Sequence, residues 1–438
     1  MTTTLKPQPV KTTVGNYFIS NYPPFSCWKP EYIPRFLHVL ARTPKPGPLG
    51  LYVHLPFCRH RCHYCYFRVY PRRSPEDVEL YIASLLKEFS LYLRYPALMN
   101  RDFSSVYFGG GSPSYLSVEQ TNRLLGGLQQ LANWDAVEEC TFECEPGTTS
   151  VEKFLALRKL GVTRVSIGFQ SLNNEILRRS GRDVRVQDCA RAFHQAREAG
   201  FDEINVDLLA GLPGETDSSW QRTIDQILEL VPDCVTIYQL ELTHNSALYT
   251  SMKAGREIPL ASWPNKQRWA GEAFDVLERV GYTIGSGYMA IRHPEKWRFV
   301  YTVEHFWHGA DLLALGETAF GHLQGVHYQN ADTFEQYVGL LDRGKMPLRR
   351  AYRLNAEEKL RREVILHLKT GALDAAYFQK KFGVNLLEHF QPEFTGLLER
   401  GLLEIQGDRI QLTREGLIEV DWLLPDFYMP HHAGIRYT

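Results

Sequence analysis

The chain contains no apolar run near the roughly 20 residues that a membrane-spanning helix requires, so no helical span is expected. It also lacks an excess of either charge. Forty-nine Lys and Arg against 50 Asp and Glu leave a net charge of −1, which gives no basis for electrostatic capture of nucleic acid or anionic membrane. A disulfide framework is missing too. The eight cysteines (Cys27, Cys58, Cys62, Cys65, Cys140, Cys144, Cys189 and Cys234) are spread irregularly. The stretch Met1–Val14 is polar and has no apolar core of signal-peptide length. Low-complexity tracts and internal repeats are absent, apart from an alternation described below. These absences predict a protein of a reducing cytoplasm, with no nucleic-acid or membrane partner.

What is present is concentrated in Tyr52-Val53-His54-Leu55-Pro56-Phe57-Cys58-Arg59-His60-Arg61-Cys62-His63-Tyr64-Cys65-Tyr66-Phe67. Three cysteines at Cys-x3-Cys-x2-Cys spacing follow a short apolar strand. Three thiolates can hold three irons of a cubane [4Fe-4S] cluster and leave the fourth open, whereas ferredoxin-type clusters use four cysteines. An open iron can bind a small molecule and pass an electron into it. Zinc is the competing reading, with His54, His60 or His63 as the fourth ligand. A disulfide pair with a spare thiol is disfavoured by the compartment. The spacing resembles the signature of the radical S-adenosylmethionine (SAM) enzymes, in which SAM chelates the open iron.

At 438 residues the chain has room for one large domain and a smaller one. Residues 1–48, rich in proline and aromatics, predict an extended arm packed on the main body. From Leu51 short apolar runs alternate with helical patterns. Strands are expected over Gly50–His54, Ser105–Phe108, Glu139–Glu143, Arg164–Gly168, Glu203–Leu208 and Cys234–Leu240, with helices between them. Six β-α units predict an α/β fold, a partial (β/α)6 three-quarter TIM-like barrel over residues 49–245. Chemistry in such barrels sits at the C-terminal strand ends, where the cysteine loop also falls. Residues 246–350 are expected to extend the barrel over the active site. Residues 351–438, helices with a short hairpin, predict a winged-helix-like α+β cap that serves as a lid or packing unit.

Several strand tips carry polar residues. Gly109-Gly110-Gly111-Ser112 follows the second strand, and glycines let backbone N–H groups approach a ligand closely. Glu143 ends the third strand and Gln170 the fourth; Arg182 follows on the next connection, and Asp207 lies at the fifth. A forked guanidinium suits a carboxylate, and carboxylates suit ribose hydroxyls or an ammonium. Gln170, Arg182 and Asp207 together could clasp an amino-acid-bearing nucleoside.

The cysteine triad, Phe108-Gly109-Gly110-Gly111-Ser112-Pro113, Glu143, Gly168-Phe169-Gln170-Ser171, Asp207 through Pro213, and Leu315-Gly316-Glu317-Thr318-Ala319-Phe320 occur in that order. The chain thereby resembles the oxygen-independent coproporphyrinogen III oxidase-like radical SAM family. The resemblance implies a [4Fe-4S] cluster on Cys58, Cys62 and Cys65, and two SAM molecules. Tyr52, Gly110, Glu143 and Phe320 would contact the cluster-bound SAM, with Tyr52 and Glu143 as the catalytic pair and Tyr64 beside the cofactors. Gly111, Ser112, Gln170, Arg182, Asp207 and Glu241 would line the second SAM.

There are departures as well. Phe67 stands where the oxidases carry a fourth cysteine, two residues after the third. Thr302 and Val303 stand at the His-Asn positions of the family's haem chaperones. Glu241 stands where a small residue is usual. The pattern therefore sits nearest a two-SAM methyltransferase or cyclopropanase branch acting on a planar heteroaromatic or porphyrin-like substrate. Porphyrinogen decarboxylation and haem carriage without turnover are the alternatives. Trp297–Trp307 and the arm's Tyr22, Phe25 and Trp28 could stack such a substrate, although core packing is the commoner role for aromatics. One of His293, His305, His308, His322 and His327 could serve as a general base. The expected partners are the planar small molecule and an electron donor such as flavodoxin or ferredoxin.

Overall fold

A computed structural model describes residues 14, 15 and 17–435; the expected polar stretch up to Thr13 lies outside them. All six predicted strands form: β1 Leu49–Leu55, β2 Ser105–Gly110, β3 Glu139–Cys144, β4 Arg164–Gln170, β5 Glu203–Ala210 and β6 Cys234–Gln239. They pair in parallel and in chain order, with Tyr52 opposite Tyr107 and Tyr107 opposite Thr141. The intervening helices are α2 Pro75–Tyr92, α3 Val118–Leu131, α4 Val151–Lys159, α5 Asn174–Arg179, α6 Val186–Glu198 and α7 Asp217–Leu230; a further helix, α1, precedes β1. Five of these six have a Ser, Thr or Asn at the N-cap that accepts from the first turn: Ser74, Ser117, Ser150, Asn173 and Thr216.

Alternation along the strands separates two faces. Val106, Phe108, Cys140, Phe142, Val165, Ile167, Ile204, Val206, Val235 and Ile237 are buried in the main core. The alternate positions, Tyr107, Thr141, Glu143, Ser166, Asn205, Asp207, Thr236 and Tyr238, point the other way and are polar or phenolic. Strands of a parallel sheet are usually apolar on both faces. A polar inner face marks the lumen of the open barrel as a binding space.

The sheet is larger than the six units suggest. Residues 246–350 add strands to both of its edges. β7 Thr283–Ile284 and β8 Met289–Ile291 extend it beyond β6. On the other side β9 Asp311–Leu315 pairs in parallel with β1, and β10 Phe320–Leu323, β11 Val326–Asn330 and β12 Leu348–Arg353 follow antiparallel. Residues beyond the sixth β-α unit thus continue the same sheet at both edges.

The arm is not wholly extended. Ile33–Leu40 forms α1, because Phe36 and Leu40, four apart, share one buried face. Phe36 stacks on Tyr328, with ring centroids 4.1 Å apart. Tyr22, Phe25 and Trp28 are buried in a second core shared with residues 360–427, so they pack the arm to the body and do not stack a substrate. Trp28 lies flat against His327, the planes 3° apart. The C-terminal unit holds a three-stranded sheet, Ala372–Asp374, Leu403–Gln406 and Arg409–Leu412, beneath helices.

Candidate active site

A cavity of about 420 Å³ opens at the C-terminal ends of the parallel strands. Its wall includes Cys58, Cys62 and Cys65, so the spaced cysteines do converge on one space. Burial raises the Cys58 thiol to about 12 and Cys65 to about 11, so their ionisation needs a cation nearby. The three sulfurs are not gathered tightly. Among the described residues, the group of three or more potential metal ligands lying within 4.8 Å of one another is Glu358, His431 and His432. A tetrahedral zinc with bonds of about 2.3 Å needs sulfurs only about 4 Å apart, whereas a cubane spreads its thiolates more widely. None of the histidines offered as a fourth ligand is poised for zinc. His54 is bonded to Tyr52 and Thr318, His63 to the Arg179 carbonyl, and His60 faces Asp183. The donor set fits an iron–sulfur cluster.

The glycine run is required by this loop. A Cβ on Gly111 would sit 2.6 Å from the Phe57 carbonyl and 3.0 Å from Cys58 Sγ. Gly110 has φ +116°, and a Cβ there would meet the His54 ring at 2.6 Å. Ser112 Oγ lies 3.7 Å from Cys58 Sγ.

Glu143 is buried beside the run. Its carboxylate accepts from Tyr107 Oη at 2.8 Å and from Gly110 N at 3.2 Å. Burial is the main cause that lifts its pKa to about 7, with Asp207 adding to it. Asp207 accepts from Ser166 Oγ at 3.0 Å and Asn205 Nδ2 at 2.8 Å, and burial raises it also. Gln170 has φ +68° at a register shift in the β4–β5 pairing. A non-glycine residue held in the left-handed region at a strand tip is the kind of local strain that clusters at functional sites. Arg182 donates to the Gly168 carbonyl at 2.6 Å, to Tyr64 Oη at 3.1 Å and to Cys62 Sγ at 3.6 Å. Its buried Nε has no partner among the described residues. A preorganised guanidinium with a donor in reserve suits a carboxylate.

Tyr64, Gly110, Gly111, Ser112, Glu143, Gln170, Arg182, Asp207 and Glu241 all line the cavity. Tyr52 and Phe320 do not. Tyr52 stacks on Tyr107 with centroids 6.0 Å apart, one ring behind the wall, and Phe320 packs on Phe25 at 4.5 Å. The five histidines offered as general bases lie outside the lining as well. His305 is buried against Ser105, and His322 and His327 face each other at 3.0 Å.

Sequence reasoning missed the roof. Tyr17 and Phe18 from the arm, Trp263 and Tyr288, and Ile418, Asp421 and Trp422 from the C-terminal unit supply a largely aromatic part of the cavity wall, its roof. Tyr17 stacks on Trp422 at 3.9 Å, and Trp263 meets Trp422 edge-on at 5.3 Å. Glu241 Oε1 accepts from Tyr17 N at 2.6 Å and from Phe18 N, so this carboxylate holds the arm. Lys369 pairs with Asp421 at 3.0 Å. Tyr107 and Tyr238 could have been found by extending the lumen-facing alternation; nothing local marks Trp422.

Residues 52–227 match the radical SAM superfamily, and residues 354–418 match the HemN C-terminal domain. Residues 52–227 thus form a radical SAM domain, and a HemN-type C-terminal domain follows it. The cofactors are accordingly a [4Fe-4S] cluster and SAM. The chain is similar to the oxygen-independent coproporphyrinogen III oxidase of Escherichia coli. The two are 29% identical over 423 residues, which is 92% of this chain and 90% of that protein. The heme chaperone HemW of Bacillus subtilis is 28% identical over 375 residues, 83% of this chain and 95% of its own length. The solved coproporphyrinogen III oxidase (HemN) from E. coli, described as a radical SAM enzyme, superposes with a TM-score of 0.82 at 26% identity, covering 94% of this radical SAM chain and 96% of the other. The expected methyl-transfer branch finds no support in these likenesses, which fit the oxidase or chaperone alternatives. No helix among the described residues is long and apolar enough to cross a membrane.

Proposed function

We propose that this radical SAM enzyme abstracts hydrogen from a propionate side chain of a porphyrinogen-type substrate and releases the carboxylate as carbon dioxide, leaving a vinyl group. The observation that carries this reading is the continuity of one cavity, from the cysteine loop past Glu143 and Arg182 to an aromatic roof formed by the arm and the C-terminal unit. The similarity to coproporphyrinogen III oxidase over 92% of the chain supports it.

The cluster, when bound, supplies the electron that cleaves SAM to a 5′-deoxyadenosyl radical. The protein's own contributions are positional. Gly110 and Gly111 let the backbone come close to the methionine end of SAM. Glu143, ionised above about pH 7, can receive its ammonium. Arg182 offers a fork to a carboxylate, either of a second SAM or of the substrate. The stacked Tyr17–Trp422 pair and Trp263 give flat apolar surface and exclude water from the radical. The step balances when one hydrogen atom passes from the propionate to the 5′-deoxyadenosyl radical, giving 5′-deoxyadenosine, and the resulting substrate radical loses carbon dioxide and gives one electron to an external one-electron acceptor, leaving the vinyl group.

A second reading is transfer of a carbon unit from a second SAM to an sp² carbon. It is favoured by Phe67, exposed two residues beyond Cys65 where the oxidases carry cysteine. Haem carriage is disfavoured, because His305, the histidine within Tyr301–Trp307, is buried on Ser105. Anaerobic incubation with reductant, SAM and coproporphyrinogen III separates the readings. Loss of carbon dioxide with 5′-deoxyadenosine and no S-adenosylhomocysteine supports decarboxylation. Alkylated product with S-adenosylhomocysteine overturns it.

A further inference from the structure

The sixteen residues from Cys58 to Arg73 contain Arg59, Arg61, Arg68, Arg72 and Arg73, with His60 and His63, and no acidic residue. In a chain of net charge −1 this is a sharp local excess. Arg59, Arg68, Arg72 and Arg73 lie outside the lining of the active-site cavity, whereas His60 and Arg61 also line it. A short parallel bridge sets Cys58 opposite Pro71, and Arg72 N donates to the Cys58 carbonyl at 3.2 Å. A second cavity there is lined by Arg59, His60, Arg72, Arg73, Tyr115 and Asp183.

Most of this charge is not neutralised. Arg59 Nη1 donates to the Gly147 carbonyl at 2.7 Å, Arg61 Nη2 to the Cys65 and Asn245 carbonyls at 3.4 and 3.2 Å, and Arg72 Nη2 to His60 Nε2 at 3.1 Å. Neutral acceptors fix these guanidiniums and leave their charge facing solvent. Among the described residues no carboxylate lies within 4.0 Å of Arg59, Arg61, Arg68 or Arg72. Asp183 faces His60 at 3.6 Å, Arg73 is offset by Asp77 and Glu335, and Arg68 feels the buried Glu317 carboxylate.

We infer that this arginine face is the docking surface for a small acidic one-electron carrier protein that reduces the cluster. Charge complementarity selects the partner, because a basic patch accelerates encounter with an acidic protein and orients it. Position selects its role, since Arg59 adjoins Cys58 in sequence, Arg68 follows Cys65 by three residues and Arg72 N is bonded to the Cys58 carbonyl. In the step itself one electron leaves the reduced carrier, which is oxidised by one unit, and enters the cluster, which is reduced by one; no bond forms or breaks. The inference rests on the cluster alone and stands whichever substrate reading holds.

The test uses the cluster-loaded full chain, reduced flavodoxin as the carrier, and the double variant Arg68→Glu/Arg72→Glu. Binding of flavodoxin is followed by titration, and cluster reduction by stopped-flow absorbance, each beside reduction by dithionite. The double variant is expected to bind flavodoxin at least about 10-fold more weakly and to accept its electron correspondingly more slowly at low salt. The ratio of flavodoxin-driven to dithionite-driven reduction should fall, and raising salt should erase the difference. Because the ratio is taken on clusters actually present, incomplete loading does not affect it. An unchanged ratio and affinity overturn the inference. So does an equal loss in the charge-matched control Arg279→Glu/Lys380→Glu, which lies outside the patch.

Discussion

The two ends of the cavity are built differently. At the cysteine end each functional group sits at or beside a strand tip, next to residues that are its neighbours in sequence, and register brings the tips together. At the roof the groups come from residues 17–18, 241, 263, 288 and 418–422, which meet only through long-range packing. The cysteine end holds what all radical SAM chemistry needs, while the roof holds what would distinguish one substrate from another. Substitutions at the two ends should therefore fail in different ways.

The largest effect belongs to the cysteines. Cys58→Ala, Cys62→Ala or Cys65→Ala should each abolish the broad visible absorption of anaerobically prepared protein and its cleavage of SAM, as read by iron content and by 5′-deoxyadenosine. A variant retaining both would remove that residue from the ligand set. Next comes Glu143→Gln, which leaves the shape but removes the charge offered to SAM. Loss of a charged hydrogen bond of about 1.5–3 kcal/mol predicts SAM binding weaker by about 10- to 100-fold. Its pH dependence is part of the same prediction. SAM affinity of the native protein should rise as pH climbs through about 7, where Glu143 ionises, and the Gln variant should lose that dependence.

A roof substitution should behave otherwise. Glu241→Ala removes the acceptor of two arm N–H groups. An unmet buried donor costs about 1–3 kcal/mol, so the arm should loosen and the substrate KM should rise about 10-fold. SAM cleavage in the absence of substrate should stay near the native rate. Equal loss of both activities would show that the two ends are not separable.

The same contrast explains what could be read without a structure. The six β-α units were legible because their outer faces carry unbroken apolar alternation, such as Val106 and Phe108 or Ile204 and Val206. The cysteine triad, the glycine run and Glu143 were legible because each is a short contiguous motif whose position at a strand tip follows from that alternation. Three features were hidden. Strand Asp311–Leu315 joins β1 after a separation of more than 250 residues, and no local signal encodes such a pairing. Helix Ile33–Leu40 lay inside a proline-rich stretch, and only the buried spacing of Phe36 and Leu40 marks it. Trp422 and Asp421 reach the cavity from a unit whose own sequence describes a small helical cap. Within the arm the aromatics divide, Tyr22, Phe25 and Trp28 packing the core while Tyr17 and Phe18 line the site, and their composition alone does not distinguish them.

The smallest effect concerns stability and again divides the ends. Burial raises Glu241 at the roof from 4.5 to about 8. The folded protein therefore keeps this proton at pH values where the unfolded chain has lost it, so the stabilisation is complete below about pH 4.5 and disappears as pH rises through about 8. His54, behind the glycine run, is shifted the other way, from 6.5 to about 4 by burial. Its contribution is complete above pH 6.5 and is lost as pH falls through about 4. The two contributions offset each other between about pH 4.5 and 6.5, so metal-free protein should lose stability above about pH 6.5 in part through the roof and below about pH 4.5 in part through the cysteine end. Thermal unfolding from about pH 3.5 to about pH 9 checks this. Glu241→Gln should flatten the alkaline limb and leave the acid limb alone. If it flattened both limbs, or neither, the roof carboxylate would not be the group whose ionisation loosens the arm.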